Sequence, residues 1–108
     1  MNIIYFDNYR QHSGTTVNPS ILWEYDLTHF DYHQMRDIVV QRVVERGWRS
    51  DWYAALNLYG IGGMREAVKN IPYLNNKDMQ FVSLIFNIPL SEMKCYTKKR
   101  SQKMHWNS

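Results

Sequence analysis

The side chains best suited to chemistry lie in the last fifteen positions, from Lys94 to Ser108. This stretch holds five positive side chains and no acid, whereas residues 1–93 hold eight basic against ten acidic side chains. Aromatic side chains stand among the cations, which suits phosphate contact with base stacking. The pattern equally suits insertion into an acidic groove of a protein partner, where Trp and Arg are frequent anchors. A solvated, frayed terminus is the simpler alternative. The predicted partner-binding residues are Lys98, Lys99, Arg100, Lys103, His105 and Trp106.

A second set of cations lies near the first predicted helix. Arg42, Arg46 and Arg49 recur at steps of four and three residues, and would form one basic stripe if the helical phase held past Gly47. Such a stripe, together with the tail, would contact the phosphates of a nucleic acid. The alternative nucleic-acid-binding set is Arg36, Arg42, Arg46, Arg49, Lys98, Lys99, Arg100 and Lys103.

The other reactive side chains do not assemble into a catalytic or metal-binding motif. His29 and His33 are four residues apart, but the helix cap expected at Asp31 falls between them, so they should not share a face. Cys95 has no histidine in a recognisable nucleophile motif, and a structural thiol at the edge of the core is expected. The glycines at 60, 62 and 63 lack the preceding strand and following Lys-Ser/Thr of a phosphate loop. The sequence therefore predicts no enzyme, no metal and no cofactor.

The composition indicates one globular domain. The chain has 108 residues, of which 44% are hydrophobic and 15% aromatic, enough for a core in a domain of this size. No apolar run reaches the roughly 18 residues of a membrane helix, and the first residues lack the pattern of a signal peptide. The single cysteine excludes an internal disulfide and fits a cytoplasmic setting.

Apolar spacing predicts the elements that would position these residues. The first helix is expected from about Tyr32 to Arg46, with Asp31 as N-cap and Gly47 as a left-handed C-cap. Two more are expected from an N-cap at Ser50 to Gly60 and from about Gly62 to Pro72. A fourth should run from Asn75 or Asn76 to about Phe86, and Ser91 should cap one last turn. On the fourth helix, Phe81 and Leu84 extend the apolar face formed by Met79, Val82, Ile85 and Phe86.

The predicted fold is all-α, a small bundle of four to five helices. An irregular N-terminal arm covers residues 1–20, the helical bundle covers 21–94, and the basic aromatic tail covers 95–108. The helices at 52–59 and 64–71 have the lengths of a helix-turn-helix. Glu66 lies beside the only two cations of the second helix, however, so ordinary packing is the favoured interpretation.

Four short motifs resemble those of a family of small uncharacterised bacterial proteins. They are Leu22-Trp23-Glu24-Tyr25-Asp26, the helix end Val44-Glu45-Arg46-Gly47, the pair Asp51-Trp52 with Leu58-Tyr59-Gly60, and Cys95-Tyr96-Thr97 with His105-Trp106-Asn107. The resemblance covers roughly residues 21–108. Members of that family are often encoded beside a nucleotidyltransferase-type toxin of the abortive-infection class. The resemblance implies an antitoxin-like or accessory role and carries over no catalytic residues.

Two functions follow as expectations. The first is a non-catalytic interaction module whose tail docks on a protein partner, which the resemblance identifies with the nucleotidyltransferase toxin. The alternative is a nucleic-acid-binding protein that uses the tail and the arginines of the first helix. Neither function requires a membrane, and the sequence leaves the oligomeric state open.

Overall fold

The computed structural model describes residues 8–97. Within them the chain is all-α, as predicted, and contains no strand. The three longer helices are α1 (Arg36–Arg46), α2 (Arg49–Asn70) and α3 (Asn76–Phe86). Short 3-10 turns lie at Tyr9–His12, Pro19–Leu22, Leu27–His29 and Leu90–Glu92, and residues 94–97 are again helical.

The first helix begins four residues later than the apolar pattern predicts. The Asp31 carboxylate accepts hydrogen bonds from the amides of His33 and Gln34, at 3.0 and 3.1 Å, so it caps the turn formed by residues 32–35. Met35 leaves the helical conformation, with φ −97° and ψ 21°, and α1 starts at Arg36. Asp31 therefore caps a preceding turn and not α1, whose N-cap is Met35, so the predicted start of the helix was wrong.

Gly47 ends α1, but not in the left-handed conformation that the sequence suggests. Its backbone is extended, with φ −75° and ψ 151°. A Cβ atom at this position would lie 2.5 Å from the carbonyl oxygen of Val43, well inside van der Waals contact. Glycine is required here because the chain passes close to the last turn of the helix.

The second and third predicted helices form a single element, α2, with a kink. Only Gly60 departs from helical geometry, with φ +75° and ψ 167°, a region that glycine enters at little cost. The helix begins after Trp48, two residues before the predicted cap at Ser50. Because no turn of three to four residues separates the two halves, α2 does not form a helix-turn-helix.

The start and end of α3 follow the local signals. The Asn75 side chain accepts a hydrogen bond from the Asp78 amide at 2.7 Å, and Asn87 adopts the left-handed conformation at the other end. Arg65 of α2 donates to the carbonyl oxygen of Phe86 at 3.2 Å, which satisfies one of the free carbonyls at this helix end. Ser91 lies inside the Leu90–Glu92 turn and does not cap it.

The core lies between the three helices, with the most extensive contact between α1 and α2. Its largest fully buried side chains include Leu22, Leu56, Met64, Ile71, Phe86 and Met93. Tyr9, Val17 and Cys95 are also buried in this core, so it includes residues on both sides of the 21–94 segment. No helix within residues 8–97 combines the length and apolarity that crossing a membrane requires.

Two side chains of α2 hold the segments that precede α1. The Asn57 amide donates to the carbonyl oxygens of Tyr9 and Tyr53, at 2.8 and 2.9 Å. The Tyr59 hydroxyl donates to the carbonyl oxygen of Tyr32 at 2.7 Å, and burial raises the pKa of that hydroxyl. The first half of α2 is therefore the scaffold on which the N-terminal third of the chain is arranged.

Candidate protein-docking surface

A buried carboxylate at the start of α2 joins two distant chain segments. Asp51 is only 1% exposed and is the only charged residue in the buried set of residues 8–97. One carboxylate oxygen accepts from the Asn18 amide at 2.7 Å, and the other accepts from the Trp48 amide at 2.8 Å. These charge-assisted bonds and the positive end of α2 offset the cost of burying the charge. Asp51 thereby fixes the backbone at position 18 against the α1–α2 connection.

Arg42 fixes the same segment from α1. Its guanidinium forms an ion pair with Glu24 and donates to the carbonyl oxygen of Ile21 at 3.5 Å. The hydrogen bond from Arg42 lowers the pKa of the Glu24 carboxyl below its ordinary value. Residues 18–24 are therefore attached to the start of α2 at position 18 and to α1 at positions 21 and 24.

Two tryptophans project from the backbone that these bonds hold. Trp23 directly follows the Pro19–Leu22 turn and is 73% exposed, while Trp48 precedes α2 and is 75% exposed. Exposed indole rings contribute nothing to the core, and tryptophan is enriched among the residues that dominate binding energy at protein interfaces. Their fixed backbone reduces the entropy that a partner would have to remove on binding.

A groove lies between the end of α1, the start of α2 and α3, and its lining includes Gly47 and Arg49, the sequence neighbours of Trp48. We refer to it as the corner groove; its volume is about 700 Å³. The Trp52 ring supports it from the core, edge-on to Phe81 with ring centroids 5.8 Å apart. Leu84 is 57% exposed beside Phe81. The apolar lining consists of Val44, Trp52, Phe81 and Leu84.

The rim of the corner groove carries more positive than negative charge. Arg49 and Lys77 are exposed and form no ion pair with any of residues 8–97, and Asp78 is the only acid in the lining. Lys69, by contrast, pairs with Glu92 at 3.2 Å. The groove therefore combines an apolar floor with two cations that remain available to a ligand.

The predicted basic stripe does not form. Since α1 ends at Arg46 and Gly47 is extended, Arg49 belongs to a new helix, and the helical phase is lost between them. Arg36 contacts Asp37 at 3.2 Å and Arg42 is paired with Glu24. Arg46 and Arg49 are exposed and make no ion pair within the described part of the chain. Of the four arginines predicted to contact a nucleic acid, Arg46 and Arg49 are thus free of ion pairs with residues 8–97.

The predicted tail residues lie outside the described residues. They are Lys98, Lys99, Arg100, Lys103, His105 and Trp106. The surface contributed by residues 8–97 was not predicted from the sequence, with the exception of Arg49.

The remaining histidines and polar side chains of residues 8–97 that the sequence singled out make local contacts. His12 stacks on Tyr53 with ring centroids 4.2 Å apart, and His33 lies edge-on to Tyr59 at 6.3 Å. Residues 8–97 contain no group of three or more His, Cys, Asp or Glu side chains that could hold a metal ion. A second cavity, of about 370 Å³, lies between residues 13–17 and α2 and is lined by hydroxyl, amide and apolar groups. Of the cavities described here, only the corner groove combines exposed aromatic and cationic side chains.

Residues 17–68 match the model of a protein family of unknown function, DUF6922. The matched segment is slightly less than half of the chain. It contains Trp23, Trp48 and Asp51, together with three of the four sequence motifs described above, while the motif at 95–107 lies beyond it. The match assigns no activity and no partner. No curated protein and no solved structure matches the sequence.

Proposed function

We propose that the protein is a non-catalytic interaction module that binds a protein partner through the corner groove and Trp48, with the cationic tail as a second contact. The observation that carries this proposal is an open apolar groove with two cations in its lining that form no ion pair with residues 8–97. Two of its lining residues, Gly47 and Arg49, flank in sequence the exposed Trp48, whose backbone is fixed by a buried carboxylate. Contiguous exposed apolar surface in a small protein commonly marks an interaction site. The side chains present, tryptophan and arginine above all, are those enriched at interface hot spots.

The sequence resemblance gives this partner a more specific identity. In this proposal it is the nucleotidyltransferase-type toxin encoded beside such proteins, and the module acts as an antitoxin by covering the toxin surface sterically. Steric inhibition needs affinity and geometry but no catalytic groups, which fits a surface built from anchors and charges.

Co-expression with the product of the adjacent gene tests the proposal. We expect the two proteins to co-purify, and we expect Leu84→Ser to reduce the recovered partner. Tyr73→Ser is the matched control, because Tyr73 is 58% exposed, much like Leu84, and does not line the groove. A form ending at Tyr96 measures the contribution of the tail. If neither protein retains the other at micromolar concentration, the proposal is wrong.

Nucleic-acid binding is a second candidate, favoured by the exposed Arg46 and Arg49 together with the tail. A filter-binding titration against salt discriminates the two. Four or five phosphate contacts would give a slope of about −4 in a plot of log affinity against log salt. An interaction module of the kind proposed here gives no retention of nucleic acid at low salt.

A further inference from the structure

We infer that the occupant of the corner groove is an acidic amphipathic helix of the partner. This inference rests on the proposed function, namely that a protein partner exists, and specifies the chemistry of the segment that binds. It is carried by two features of residues 44–84: the helical spacing of the groove side chains and the free charges at the rim.

The spacing of the side chains on α3 defines the shape of the ligand. Lys77, Phe81 and Leu84 lie at i, i+4 and i+7 and therefore form one stripe along the helix. The stripe spans about 10 Å at 1.5 Å per residue, or two helical turns. A helix lying along it would place apolar anchors at the same repeat, which is the usual geometry of helix-in-groove recognition.

The unpaired cations at the rim determine the sign of the charge that the ligand should carry. Arg49 and Lys77 flank the apolar floor and make no ion pair with the described residues. Acidic residues beside the anchors of the ligand would pair with both cations, whereas basic ones would be repelled. Complementary charge at a partly exposed rim mainly raises the association rate and selects among partners.

The same charges argue against two other occupants. Residues 98–108 of this chain carry four cations and no acidic side chain, so their side chains offer no carboxylate to pair with Arg49 or Lys77. A second copy in a two-fold arrangement would bring Arg49 and Lys77 of both molecules to one interface, where a single Asp78 from each copy would face them. Neither occupant satisfies both cations.

Trp48 is a further exposed aromatic residue next to two groove residues in the sequence. It lies between Gly47 and Arg49, both of which line the groove, and three quarters of its surface is exposed. Tryptophan is enriched at interface hot spots, but the spacing and the charges of the groove itself define the ligand.

The experiment uses the full-length protein and three fluorescein-labelled peptides of about 20 residues, long enough to form a helix. The first carries leucines at i, i+3, i+4 and i+7 with glutamates on the other face. The second has the same composition in scrambled order, and the third replaces the glutamates with lysines. The scrambled acidic peptide measures purely electrostatic binding to the cationic tail, which is present in every protein variant.

We expect the patterned acidic peptide to bind at least about ten-fold more tightly than either control, as loss of one hot-spot contact would imply. Leu84→Ser and Lys77→Glu should each weaken its binding, and Tyr73→Ser should not. Equal binding of the scrambled peptide, or unchanged binding to the Leu84 variant, would overturn the inference. So would self-association of the protein that Leu84→Ser abolishes. Co-purification with the adjacent gene product is measured separately. The proposed function can therefore be supported even if the groove does not bind an acidic helix.

Discussion

Replacing Asp51 by Asn tests whether the buried carboxylate holds the segment around Asn18 against the start of α2. The side chain keeps its size, but an amide has one acceptor oxygen where the carboxylate has two. Either Asn18 or Trp48 then loses its acceptor and faces an NH₂ group instead. A hydrogen bond to a charged group contributes about 1.5–3 kcal/mol, and an acid in the first turn of a helix adds about 0.3–1 kcal/mol. We expect Asp51→Asn to lower the free energy of unfolding by about 2–4 kcal/mol.

Urea denaturation followed by far-UV circular dichroism measures the loss. For a domain of this size, the expected change corresponds to a fall in Tm of roughly 10–20 °C. Asp78→Asn is the matched control, because Asp78 is the third residue of α3 just as Asp51 is the third residue of α2. The Asp78 carboxylate accepts no hydrogen bond from another segment among residues 8–97. Its substitution should cost only the helix-dipole contribution, about 0.3–1 kcal/mol.

Equal losses for the two variants would refute the reasoning, since Asp51 would then act only on its own helix. Amide hydrogen exchange provides an independent readout. If the Asp51 carboxylate joins Asn18 to Trp48, Asp51→Asn should accelerate amide exchange at Asn18 or Trp48 more than at amides in the centre of α2. Uniform acceleration of exchange would mean that the substitution destabilises the whole fold without a specific effect on the contacts of Asn18 and Trp48.

Two further predictions concern single positions. Gly47→Ala should lower the free energy of unfolding by about 1–3 kcal/mol, because the new methyl group would lie 2.5 Å from the Val43 carbonyl oxygen. Gly62→Ala should raise it by about 0.5–1 kcal/mol, because Gly62 lies inside α2 and no atom outside the local helix backbone lies within 4 Å of the new methyl group. Urea midpoints that shift in the same direction for both variants would contradict this geometry. Glu24→Gln should lower Tm at pH 7 and have little effect at acidic pH. Arg42 lowers the pKa of Glu24 in the folded state, so the stabilisation is present above the ordinary value of 4.5 and is lost as the pH falls through the lowered one. A Tm difference that is constant between pH 7 and pH 3 would exclude this ion pair as its cause.

Local sequence signals located the helix ends where the determining contact is itself local. Asn75 caps α3 through an amide three residues away, and Asn87 turns the chain at its end. Pro72 follows directly on Ile71, the C-cap of α2. Each of these contacts depends on residues adjacent in sequence, so the pattern of residue types contains the information needed to predict it.

Two of the errors occurred where a glycine can end a helix or merely bend it. Gly60 was expected to terminate a helix, yet a single residue at positive φ kinks α2, which then continues. Gly47 was expected to be left-handed, yet its role is to let the backbone pass Val43. In both cases glycine marks an unusual backbone correctly, but the sequence does not state which of its conformations the packing selects.

The corner groove could not be distinguished from the core by sequence, because apolar side chains at helical spacing form both. On α3, Phe81 and Leu84 extend the apolar face begun by Met79 and Val82, as the helical spacing predicts. Met79 and Val82 are buried, whereas Phe81 and Leu84 lie on the solvent side of Trp52 and line the groove. The apolar arc of this helix is therefore wider than the part that residues 8–97 bury. If the excess only reflected tolerance of apolar residues at the surface, Leu84→Ser would leave both stability and partner binding unchanged. If the exposed apolar side chains serve a ligand, Leu84→Ser would leave the stability of the fold unchanged and abolish partner binding.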